Sequence, residues 1–112
     1  MIQLHLIEKD SIVCDPKEAG KQLTRYFRQS KRPLRLMGMG DTDDFTLTLF
    51  LENTNHRELD RTFVFSPFPG NTVDEVAATV QHRYAAGFDT LGTFYVEENL
   101  WGLFSIADED RK

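Results

Sequence analysis

The densest cluster of groups able to do chemistry is Gly38-Met39-Gly40-Asp41-Thr42-Asp43-Asp44. Carboxylates this close gather hard cations, and a calcium loop opening at Asp41 needs glycine at its sixth position and glutamate at its twelfth. Those positions hold Thr46 and Glu52, so only the glutamate is in place, and a leucine-rich strand pattern runs through the segment. The expectation is a solvated turn and no metal. The glycines do not form a phosphate loop, because no Lys-Ser or Lys-Thr pair follows and the next side chains are acidic. His5, His56 and His82 share no ligand spacing. Cys14 stands just before a helix start, where a thiol can be activated, but no histidine is placed beside it. Burial as a small hydrophobe is the expected role. Gly-x-Ser-x-Gly and His-Glu-x-x-His patterns are absent. No catalytic residue and no cofactor is nominated, so the residues favour a binding protein over an enzyme.

The elements that must position any site follow from composition and periodicity. The 112 residues suit one domain over 1–112. Nine Phe, three Tyr and one Trp are enough to fill a core or an interface. Thirteen basic against 18 acidic residues give a net charge of -5, which repels phosphate backbones and anionic lipid. No nucleic-acid or membrane partner is expected. The basic residues Lys21, Arg25, Arg28, Lys31, Arg32 and Arg35 read as the solvated face of one helix and its exit. A single cysteine points to a reducing compartment. With no secretory pattern and no apolar run of spanning length, the expected location is cytoplasmic.

Residues 1–9 alternate Ile2, Leu4 and Leu6 with Gln3 and His5, a strand pattern that 11–14 continues or pairs with. Asp15-Pro16-Lys17-Glu18 opens a helix with a cap, a first-turn proline and a first-turn glutamate. Ala19, Leu23, Tyr26 and Phe27 form its apolar stripe, and Pro33 ends it. Strands are expected at 34–39 and 45–52, with a polar loop over 53–60 and a short aromatic strand over 62–66. Thr72 and Glu75 open a second helix whose stripe is Val73, Val76, Ala77, Val80 and Tyr84, closed by Gly87. A hairpin of 91–96 and 100–106 turns at Glu97-Glu98-Asn99, and 108–112 is a charged tail.

The order is strand, helix, hairpin, twice over, with halves at 1–56 and 57–107. Leu36-Met37-Gly38 with Phe45, Leu49 and Leu51 stands 55 positions before Leu91-Gly92-Thr93 with Leu100, Phe104 and Ile106. The fold class is α+β: two β-α-β-β units forming a mainly antiparallel sheet with two helices on one face. The helix end Ala86-Gly87-Phe88 and the aromatic hairpin after it resemble the ends of several small uncharacterised bacterial α+β proteins. That resemblance covers about a quarter of the chain and implies no particular activity.

If Phe45, Leu47, Leu49 and Leu51 face the helices, Thr46, Thr48 and Phe50 face away. If Leu100, Phe104 and Ile106 face them, Trp101 and Leu103 face away. A sheet face open to water should be polar. Large apolar groups there mark a covered surface, so Phe50, Tyr95, Trp101 and Leu103 are the interface candidates. The expected function is a non-enzymatic interaction module that self-associates as a homodimer through its sheet, with a further protein partner open. The alternatives are a small-ligand domain with its pocket between sheet and helices, and an acidic inhibitor protein of a mobile genetic element.

Overall fold

A computed structural model describes residues 2–41, 43–54 and 61–107. Residues 55–60 of the loop expected over 53–60, with its His56, the turn residue Thr42 and the tail 108–112 lie outside the described residues. The elements run β1 (Ile2–Glu8), α1 (Lys9–Cys14), α2 (Pro16–Gln29), β2 (Leu34–Gly40), β3 (Thr46–Asn53), β4 (Arg61–Pro67), α3 (Val73–Ala85), β5 (Phe88–Val96) and β6 (Asn99–Ala107). The fold is α+β, with every strand pair antiparallel.

Each half of the chain builds its own three-stranded sheet, and the two have one topology. The first is ordered β1-β3-β2 and the second β4-β6-β5, so in each the last strand of the unit lies between the other two. The likeness extends to detail. Both second strands shift register against the central strand, between Leu36 and Gly38 in β2 and between Thr90 and Gly92 in β5. Where one sheet with both helices on a single face was expected, the strands divide into two sheets with the helices apart.

The helix-side face of the first sheet, Leu47, Leu49 and Leu51 with Ile7, Leu36 and Met39, packs against Phe63, Phe65, Phe94, Trp101 and Leu103 of the second. Ile12, Leu23, Ala19 and Phe27 of the first two helices complete this core. The opposite face of the second sheet carries Phe68, Leu100 and Phe104, on which Val76 and Val80 of α3 rest. β6 is therefore covered on both faces, and every residue from Leu100 to Ala107 is buried. That double burial explains its near-continuous apolar run.

α2 lies along β4. At Gly20 an added Cβ would stand 2.7 Å from the carbonyl oxygen of Phe63, so only glycine permits this approach. One turn on, the Thr24 hydroxyl donates to the Gly20 carbonyl at 2.8 Å and accepts from the Phe63 N–H at 2.9 Å. The helix thereby satisfies an edge-strand donor that would otherwise be buried and unpaired.

The caps stand where the residue types place them. Asp15 accepts from the Glu18 N–H, and the Thr72 hydroxyl accepts from the Glu75 N–H and donates to its carboxylate. Gly87 follows α3 with φ 96°. Three details differ from expectation. Residues 11–14 continue no strand but fall in the short helix α1, held by burial of Ile12 and Lys9. β5 starts at Phe88, directly after the glycine. The expected stripe of α3 is narrower, with Val76 and Val80 packed and Val73 and Tyr84 exposed, because α3 lies on one sheet face with none of the described residues packed on its far side.

Candidate functional site

None of the described residues covers one face of the first sheet, and that face is apolar at its centre. In β1 the alternation places Gln3, His5 and Ile7 toward the core and Ile2, Leu4 and Leu6 outward, with Leu4 63% exposed. Across the ladder Leu4 stands opposite Phe50, and Phe50 stands opposite Gly38 of β2. Met37, at the register shift, is also exposed. Thr48 and Thr46 continue the face, and an Arg35–Glu52 ion pair of 3.4 Å closes one end. An amphipathic strand normally turns its apolar side inward. Here β1 does the reverse, and the patch has a polar rim.

The four sequence candidates fall in different places. Phe50 is half-buried at the centre of this uncovered face. Tyr95 is 48% exposed on β5 of the other sheet. Trp101 and Leu103 are 8% and 0% exposed and lie in the core between the sheets. They do face away from α3, but their cover is the chain's own first sheet. They are therefore corrected from interface candidates to core residues. Ile2, Leu4, Leu6 and Met37 were missed as surface groups, because their alternation is the one a buried strand face also shows.

The repeated topology gives the uncovered face a counterpart. In the first unit Leu4, Phe50 and Gly38 stand side by side across the three strands. In the second unit Phe65, Leu103 and Gly92 stand in the matching places. The second triplet packs against a sheet. The first, of the same chemical character, has no partner among the described residues.

The acidic turn takes a different role. Lys9, at the β1–α1 junction, is 2% exposed. Its ammonium pairs with the Asp41 carboxylate and donates to the carbonyl oxygens of Asp43 at 2.9 Å and Tyr95 at 2.6 Å. The second Asp41 oxygen accepts from the Tyr95 N–H at 2.8 Å. Asp43 accepts from the N–H groups of Phe45 and Thr46. The lysine thus occupies the position a cation would take, and it joins the first sheet to β5 of the second. Asp44 is exposed.

The other sequence candidates stay apart. Cys14 is exposed rather than buried. His82 is exposed on α3. His5 stacks on Tyr26 at 4.3 Å between ring centroids, and partial burial lowers its pKa from 6.5. No group of three or more His, Cys, Asp or Glu able to hold a metal occurs among the described residues. Nor, among them, is any helix long and apolar enough to cross a membrane. Comparison of the chain with protein-family models, with curated proteins and with solved structures yields no match.

Proposed function

We propose that the protein is a non-enzymatic interaction module that self-associates through the outer face of its first sheet. The observation that carries this reading is the uncovered row of Ile2, Leu4, Leu6 and Met37 around Phe50. The second copy is favoured as occupant by the internal precedent. The matching face of the second unit is already covered by a three-stranded sheet of this chain, so a sheet surface fits a face of this shape and chemistry. Two copies related by a two-fold axis would bring the same patch against itself. Each half-exposed aliphatic side chain so covered contributes about 1–2 kcal/mol. Eight of them supply on the order of 10 kcal/mol before the association cost is subtracted.

Light scattering on charge-substituted variants tests the proposal. Leu4→Asp places a carboxylate at the patch centre without entering the core, and it is expected to give a folded monomer. Trp101→Asp, in contrast, is expected to unfold the chain, since Trp101 belongs to the core. Unchanged association in Leu4→Asp would reject the outer face as the contact.

A further inference from the structure

We infer that the groove between α2 and β4 is a binding site for a small amphipathic anion, a molecule with one anionic head and an apolar body. The groove encloses about 620 Å³, within the usual range for small-molecule sites. Its floor is the edge of β4 from Thr62 to Phe65, where Val64 is partly exposed and the Phe63 and Phe65 side chains turn into the core, and its helical wall carries Lys17, Lys21, Arg25 and Arg28. No acidic side chain lines it among the described residues.

The wall is arranged at a cost to the helix. Lys17, Lys21 and Arg25 follow one another at i, i+4 and i+8, and Arg28 comes three residues later. Like charges at that spacing repel one another along one helix face. Acidic residues placed among them would relieve this, and the chain has 18 to use. Yet Lys17, Lys21 and Arg25 make no ion pair among the described residues, and Glu18 of the same helix receives Gln22 instead. A chain of net charge -5 therefore keeps a local cationic wall beside a groove whose exposed apolar group on the strand side is Val64. That pairing complements a carboxylate or phosphate head with a hydrocarbon body.

Two observations favour a small molecule over a polymer. The Phe63 N–H already bonds Thr24, and its carbonyl lies against Gly20, so an extended peptide cannot add to β4 here through main-chain hydrogen bonds. The overall negative charge disfavours a long polyanion, whose phosphates would extend past the groove.

The test is isothermal titration of the full chain with decanoate and decyl phosphate, with decanol as the uncharged control. Saturable one-to-one binding of at least one anion is expected, weaker for decanol and weakened by added salt. Which anion binds more tightly distinguishes a carboxylate from a phosphate head. Lys21→Gln combined with Arg25→Gln, both exposed, is expected to weaken binding by about tenfold or more, equivalent to about 1.4 kcal/mol. Val64→Asp is expected to abolish anion binding through the floor. No saturable binding, or binding indifferent to the Lys21 and Arg25 substitutions, would overturn the proposal. No groove residue belongs to the outer face of the first sheet, so Leu4→Asp should bind decanoate as the wild type does. The two proposals therefore fail separately.

Discussion

Lys9 brings together more distant parts of the chain than any other polar side chain among the described residues. Its three acceptors come from the acidic turn and from β5. Replacing it by Met would leave the Asp41 carboxylate, three-quarters buried, and two carbonyl oxygens without their donor. Lys9→Met is expected to cost roughly 3 kcal/mol in denaturant unfolding, reduced from the largest buried-pair values because Asp41 retains some water. A loss below about 0.5 kcal/mol would show that the ammonium is solvated. The acidic turn was legible as charged, but its partner was not, since nothing in Glu8-Lys9-Asp10 distinguishes a buried lysine from a surface one. His5 gives the second residue-scale expectation. Its folded pKa lies below the 6.5 of the unfolded chain because burial disfavours the charged ring. The unfolded state therefore binds more protons between the two values, and stability rises with pH across that window and is flat above it. His5→Gln should remove this slope below about pH 6.5. A slope retained in the variant would assign it to another group.

Among the elements, α2 shows how local signals and tertiary demands combine. Its cap, its proline and the stripe through Leu23 and Phe27 are written in the sequence. Gly20 and Thr24 are not explained by that stripe, because their reason lies in β4, some forty residues away. Thr24→Val keeps the shape but removes the acceptor for the Phe63 N–H. It is expected to lower stability by about 1–3 kcal/mol, measured by thermal or denaturant unfolding. A neutral result would mean that water reaches this edge of β4. The basic side chains of the same helix could be placed on one face from the sequence, but the groove they line could not. Its floor is supplied by a strand whose position only the packing of the second unit sets. β1 illustrates the converse limit. Its alternation identified the strand, yet alternation cannot say which face turns inward. His5 and Gln3 face the core side here because Leu47, Leu49 and Leu51 of the neighbouring strand already fill it.

At the scale of the whole molecule, two units of one topology divide their faces unequally. The second unit is covered by α3 on one side and by the first sheet on the other. Among the described residues the first unit is covered on one side only, which leaves Ile2, Leu4, Leu6, Met37 and Phe50 as the outer layer. The repeated order of elements was readable from the sequence, as were apolar residues on a second sheet face, Phe50 from one half and Trp101 and Leu103 from the other. How the sheets close on each other was not, because Phe50 and Leu103 have the same character and differ only in what lies above them. The choice depends on long-range packing that no local pattern encodes. An outer apolar layer of this kind is the feature self-association would satisfy. Sedimentation equilibrium of the wild type and of Leu4→Asp from low to high micromolar concentration tests it most directly. A concentration-dependent approach to twice the monomer mass is expected for the wild type, and a single monomer mass for a folded Leu4→Asp. A wild type that stays monomeric at high micromolar concentration would contradict it.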